Sequence, residues 1–267
     1  MKFVDPNEEI EIKEEQKNEI EIEYWPIKDL PSRFNFYPKG TEIFGRPLNV
    51  IEVKKLGLLN EGNSDFVITQ ILKNSIKGIE IENLYQADKL YILLWLRAQT
   101  FLEAGYSVDF TCEKCQQEST YDFKLDNLDI KYFDEEFFKN NEIILKNGDK
   151  IVLGYLRVSD EMKQEKFREE FAKMEINEDV LELATAIQTI NGEKIPLINK
   201  YTYLTNPKKL SASEYIKIES IKKKYDFGVR PVLKVICNSC GGSAQAGVTF
   251  RKSFLLPEYR VPEIVGN

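Results

Sequence analysis

Apolar positions recur along this chain at two spacings, and the switches between them divide it into elements. Over residues 65–76 (DFVITQILKNSI), Phe66, Ile68, Ile71, Leu72 and Ile76 share one helical face. The same period runs over 87–105, where Leu90, Tyr91, Leu93, Leu94 and Trp95 make the segment apolar nearly all round. That pattern predicts a central, buried helix, with Gly105 as its C′ stop. Residues 52–59 predict a shorter helix. Further helices are expected over 159–174, with Ser159 as N-cap, and over 179–190. Another is expected over 211–225, where Ser211 and Glu214 form a capping-box pattern. Alternation with period two marks strands at 106–110, 120–125 and 232–236, and a short one within 41–48. EIILK and DKIVLGYLRV flank Asn147-Gly148, the signature of a two-residue hairpin. Pro26, Pro31, Pro38 and Pro47 disfavour helix just before them, so the chain around them reads as an extended, turn-rich arm.

The fold class expected is α+β: a helical core with short antiparallel strands and a zinc-ribbon-like pair of cysteine knuckles. The organisation expected is an acidic leader (1–24), a first α/β half (25–135), a second (136–250) and a tail (251–267). The two halves look alike. PLNVIEVKKL from Pro47 and YLRVSDEMKQ from Tyr155 share Leu-x-Val-x-acid before a helix. LYQADKLYILLWL begins 28 residues before Cys112, and LSASEYIKIESIK begins 27 before Cys237. Internal duplication and chance similarity between amphipathic segments both account for this.

Composition narrows the function classes. At 267 residues, 42% apolar and 12% aromatic, the chain can bury a substantial core. No apolar run approaches the roughly 20 residues of a membrane span, and the N-terminus has no apolar signal region, so a cytosolic, non-membrane protein is expected. Residues 1–23 carry nine acids against three lysines, a net −6 of the chain's −7, so the body stands at −1. That leader is a solvated extension or a partner-binding arm. A near-neutral body supplies no field for nucleic acid. With no histidine, a Ser-His-Asp triad, a Cys-His pair and a His-ligated zinc are impossible, and neither GxxxxGK[ST] nor GxGxxG occurs. The expectation is a protein that is not an enzyme.

All four cysteines lie in two Cys-x-x-Cys pairs, Cys112/Cys115 and Cys237/Cys240, each following a strand. Two such turns can supply four thiolates at tetrahedral geometry to one structural zinc per chain, a rivet between the halves with no open position for catalysis. Gly241 and Gly242 would free the second turn, and Lys114 would offset thiolate charge. A thioredoxin-like pair, two structural disulfides and knuckles that have lost their metal are the alternatives. The 121-residue separation is one structural repeat if the duplication holds.

LPSRFNFYPKGTEIFGRPL (30–48), the helix start around Glu52, Lys55 and Leu56, DKLYILLWLR (88–97) and CEKC (112–115) together resemble the baseplate hub proteins of T-even-like contractile-tailed bacteriophages. The likeness covers about 30–135 and runs more loosely to the second Cys pair. It leaves out the leader and the closing FRKSFLLPEYRVPEIVGN. It implies a non-enzymatic hub subunit or assembly factor, in the virion tail or in host cytoplasm during assembly, with hub and tape-measure proteins as partners. Trp25, Phe34, Phe36 and Tyr37 are the candidate partner-binding residues; packing back on their own domain is the alternative. Two other functions stay open: a zinc-ribbon nucleic-acid-binding regulator and a Cys-x-x-Cys thiol oxidoreductase.

Overall fold

The computed structural model describes residues 22–60, 64–102, 106–124, 127–248 and Leu256. The acidic leader up to residue 21 and most of the tail therefore lie outside the described residues, as does Gly105.

The first half opens with β1 (Trp25–Pro26) and β2 (Phe44–Gly45), continues through α1 (Val50–Leu56) and α2 (Ser64–Ser75), and closes an antiparallel sheet with β3 (Ile76–Lys77). A 3₁₀ turn (Ile81–Asn83) leads into α3 (Gln86–Thr100) and then the hairpin β4 (Tyr106–Thr111) and β5 (Glu118–Phe123). After β6 (Ile130–Lys131) and α4 (Phe137–Asn140), the same order recurs. β7 (Glu142–Ile144) and β8 (Lys150–Leu153) precede α5 (Val158–Glu170) and α6 (Glu178–Ala186), and β9 (Ile187–Ile190) completes the sheet β7-β8-β9. Then come α7 (Leu197–Thr205), α8 (Ala212–Lys224), β10 (Gly228–Val229, paired with β6) and the hairpin β11 (Val232–Ile236) and β12 (Ser243–Gly247). Connections match as well as order. Residues 46–49 and 154–157 join second strand to first helix; 57–63 and 171–177 join the two helices; no residue intervenes before the third strand in either half. Two differences between the halves bear on the site. The first half joins its opening strands by 27–43 where the second uses only 145–149, and the second inserts α7 before its last helix.

Helix caps carry the parallel into side chains. At α1, Asn49 Oδ1 accepts the Glu52 N–H and the Glu52 carboxylate accepts the Asn49 N–H. At α5 the N-cap is Arg157, whose N–H donates to Asp160, and Ser159 lies inside the helix rather than capping it. Both helices begin at valine with an acid at the third position. The last helix of each half repeats the device with a tertiary purpose. Asp88, third in α3, accepts the Ser32 N–H (3.0 Å) and the Tyr37 hydroxyl (2.7 Å). Glu214, third in α8, is held by Ser211 and accepts the Lys146 N–H (2.7 Å). In each half the acid pins the turn between the half's first two strands.

Several expectations are corrected. The hairpin at Asn147-Gly148 is a type I turn closed by the Gly148 N–H to Leu145 O, with Gly148 at φ +87 as a bulge; it is not a two-residue loop. The segment 179–190 is helical only to Ala186, because β8 offers an open edge and Ile187 and Ile190 bury their side chains by pairing there. The helix expected to stop at Gly105 ends at Thr100, where Thr100 Oγ1 accepts the N–H of Leu48, two residues before α1. Helix α7, following Pro196, was not anticipated.

The halves are tied together by aromatic and charged contacts. The Phe36 ring lies within 6 Å of those of Tyr85, Phe133, Phe138, Tyr155 and Phe227, which come from both halves. Lys89 on α3 pairs with Glu161 on α5 at 2.7 Å, and Tyr85 bridges Arg157. No helix among the described residues is long and apolar enough to cross a membrane.

A candidate metal centre between the two halves

Each cysteine pair sits where a hairpin turns. Thr111 pairs with Glu118 and Ile236 with Ser243, so each ladder stops one residue before its first cysteine and resumes six residues later. The backbone inside the two turns is the same. The Gln116 N–H donates to Cys112 O (2.8 Å) and the Cys112 N–H to Gln117 O (3.0 Å). Likewise the Gly241 N–H donates to Cys237 O (2.8 Å) and the Cys237 N–H to Gly242 O (2.9 Å). The fourth position after the first cysteine is left-handed in both, at φ +58 for Gln116 and +67 for Gly241. Glycine adopts that conformation freely and glutamine does not. Gly242 answers a different need: a Cβ there would stand 3.1 Å from Lys114 Cδ and 3.2 Å from Cys240 Sγ.

The buried faces of the hairpins bring the turns together. Tyr106, Phe110 and Phe123 pack in one cluster with Leu233, Val235, Ala244 and Ala246, and the two alanines let β12 approach β4 closely. As a result all four Sγ atoms lie within 4.8 Å of one another. Two contacts run between the hairpins: Cys112–Cys240 at 3.8 Å and Cys115–Cys237 at 3.7 Å. Four sulfurs each about 2.3 Å from a shared centre stand about 3.8 Å apart in a regular tetrahedron. The cluster therefore fits a tetrahedral thiolate-bound ion. Cys112 and Cys237 are buried, Cys240 is half-buried and Cys115 is exposed.

Electrostatics prepare the site unevenly. The Cys240 and Ser239 N–H groups aim at the Cys237 sulfur and draw its pKa down to about 6, against desolvation. At Cys115 the Gln117 N–H also favours the thiolate. Desolvation and the hydrogen bonds with Cys240, Cys237 and Cys112 outweigh it, and the thiol is pushed up to about 12. One thiolate is thus ready to receive a cation whose charge would ionise the rest. Four sulfurs would fill the coordination sphere of a tetrahedral ion held there.

The aromatic residues singled out in the arm go to different places. Trp25 is exposed on β1, and Phe34 is half-buried. Phe36 is turned inward among the rings described above. Tyr37 donates to Asp88 and accepts the Tyr85 N–H, and burial pushes its hydroxyl pKa far above the ordinary value. Beside Phe34 stand two residues that the sequence did not single out, Arg33 and Tyr132, with the guanidinium 5.1 Å from the ring centroid. Their distance apart along the chain leaves no local signal of this pairing.

Fold and cluster together define an α+β protein in which two cysteine hairpins meet at a four-sulfur cluster compatible with a metal site. The family model of the T4 bacteriophage base plate protein matches residues 31–254, which span most of the arm, both halves and every cysteine. The chain belongs to that family. No curated protein and no solved structure matches it.

Proposed function

We propose that this chain is a non-enzymatic structural or assembly protein of a contractile-tailed phage baseplate hub, acting on hub and tape-measure proteins. The observation that carries the reading is membership of the base plate family over residues 31–254, set beside a cysteine site with no open position. In this reading zinc occupies the four thiolates and locks the halves into one rigid body. Zinc suits the donors because it accepts four sulfurs tetrahedrally without geometric preference of its own.

The matching order, connection lengths and caps of the two halves support an ancestral duplication, with the metal between the repeats. Insertions that break a repeat are where repeat proteins tend to carry their binding surfaces. The arm over 27–43 is such an insertion; half-buried Phe34 on it and exposed Trp25 on the adjoining β1 are the proposed partner contacts, with Phe36 and Tyr37 anchoring the arm from inside. A nucleic-acid role finds little support: Asp109, Glu118 and Asp122 are exposed on the first hairpin and would repel phosphates. A redox role would draw on the lowered Cys237 pKa, but a thioredoxin-like pair opens a helix, whereas both pairs here sit in hairpin turns with all four sulfurs clustered.

Co-purification tests the proposal. The protein should form a stable complex with the hub or tape-measure proteins of its own phage, weakened by Trp25→Ala with Phe34→Ala. A protein that stays monomeric beside all of them refutes the reading.

A further inference from the structure

The two cysteine hairpins each leave one strand edge open. Inside the molecule β12 lies beside β4, so β5 and β11 stand at the outer sides of the pair. The ladder pattern fixes where their backbone groups point. The Cys112 N–H donates to Gln117 O and the Cys237 N–H to Gly242 O, so every second pair back from each turn exchanges hydrogen bonds within its hairpin. Glu118, Thr120 and Asp122 on β5, and Val232, Lys234 and Ile236 on β11, fall in the pairs between. Their N–H and C=O groups therefore point outward, and no other strand takes them among the described residues. Only Glu118 O meets a side chain, that of Gln117 at 3.2 Å. All six side chains are exposed as well.

We propose that these edges form the two sides of one contact between copies of this chain, in which β11 of one copy adds to β5 of the next as an antiparallel strand. The register that joins all the outward residues sets Lys234 opposite Thr120, Ile236 opposite Glu118 and Val232 opposite Asp122. Lys234 then stands diagonally between two carboxylates on one face, within reach of both. Asp109 adds to that negative face, joined to the Thr120 hydroxyl by a 2.6 Å hydrogen bond, while Lys234 is the only charged residue on either strand of its own hairpin. Beyond the ladder Lys124 would meet Arg230, whose charge Asp226 already answers at 2.9 Å. The same charges disfavour the symmetrical alternatives. Two β11 strands pairing about Lys234 would bring lysine against lysine, and two β5 strands would set Glu118 against Asp122. A lysine on an open edge commonly guards it against self-pairing; here it also selects the acidic edge. A contact between two different edges leaves one of each free on the outer copies, so copies add head to tail until a ring closes or a filament grows.

Sedimentation velocity of the full chain tests this. The wild type should self-associate as its concentration rises from about 1 to about 300 μM, the range of a weak contact. Lys234→Glu should keep the protein monomeric over that range, and so should Glu118→Lys with Asp122→Lys. All three positions are exposed, so these variants should keep the wild-type Tm. Mixed in equal amounts, the two variants should associate again, because the reversed β11 of one meets the reversed β5 of the other. In the associated wild type the amides of 118, 120, 122, 232, 234 and 236 should exchange at least about tenfold more slowly than in dilute protein. A wild type that stays monomeric throughout overturns the proposal, as does association that mixing fails to restore. Association left intact by the β5 reversal assigns the contact to another surface and also overturns it. These measurements use this chain alone, so failure here leaves the hub reading standing.

Discussion

If the four thiolates hold zinc as proposed, removing it should loosen the whole molecule, because the sulfurs come from two hairpins far apart in the chain. Structural zinc sites with thiolate ligands bind with about 10–16 kcal/mol. At about 1 μM free zinc, roughly 8 kcal/mol of that is offset by dilution, leaving about 2–8 kcal/mol of stabilisation by mass action. The structure places this chain near the middle or above. The loop between Cys115 and Cys237, 122 positions apart, costs on the order of 4 kcal/mol to close, but the shared core of the two hairpins closes it before the ion binds. About 5 kcal/mol corresponds to about 10–20 °C in Tm for a chain of this size. Scanning calorimetry of metal-loaded protein with and without chelator, paired with elemental analysis, reads it directly. Cys115→Ser and Cys240→Ser are the sharper probes, since these two sulfurs are the less buried and their loss removes little packing. Each should lower Tm by the same amount, and the double variant should fall no further than either single one, because one broken ligand already opens the site. Cys112→Ser and Cys237→Ser should likewise match each other. An unchanged Tm on chelation, additive losses, or one harmless and one ruinous substitution would refute a shared ion.

Further outcomes follow from single contacts. Glu52→Gln leaves the buried Arg46 guanidinium without its bidentate partner (2.7 and 2.8 Å) and should cost about 3–5 kcal/mol by denaturant titration. Burial disfavours the Glu52 charge, but Arg46 and the Asn49 N–H hold its pKa below the usual carboxylate range. The stability it contributes is therefore complete above its unfolded value of about 4.3 and lost as pH falls through the lower folded one. Tm should drop on acidification through that window, and Glu52→Gln should flatten this part of the profile. Phe36→Ala removes the ring common to both halves and should cost about 3–5 kcal/mol, measured by urea unfolding. Gln116→Gly should raise stability by up to about 1 kcal/mol by relieving its positive φ, while Gly241→Gln should lower it by a similar amount; calorimetry on both checks that the turns are equivalent.

Much of this molecule is decided locally and was legible in the sequence. The helix 64–75 follows from apolar spacing, the α8 cap from Ser211 and Glu214, and the cysteine turns from two pairs each preceded by an alternating strand. These signals lie within a few residues of what they specify, and at these places the tertiary contacts agree with them. The likeness of the two halves was visible only as short fragments, because what recurs most faithfully is cap position and connection length.

Other features belong to the tertiary structure alone. Residues 187–190 carry a helical pattern yet pair as a strand, since the hydrogen bonds and burial offered by the β8 edge exceed a weak local preference. Arg157 caps α5 because Asp160 reaches back to it, although arginine is no N-cap by type. Phe34 and Phe36 are indistinguishable in an arm read as a string of aromatics. A carboxylate 52 positions beyond Phe36, Asp88, holds the turn that packs the two rings against different core clusters. The meeting of the four sulfurs is of this second kind. Two Cys-x-x-Cys turns state what each can donate, but only packing of the hairpins in one core decides that they donate to the same point.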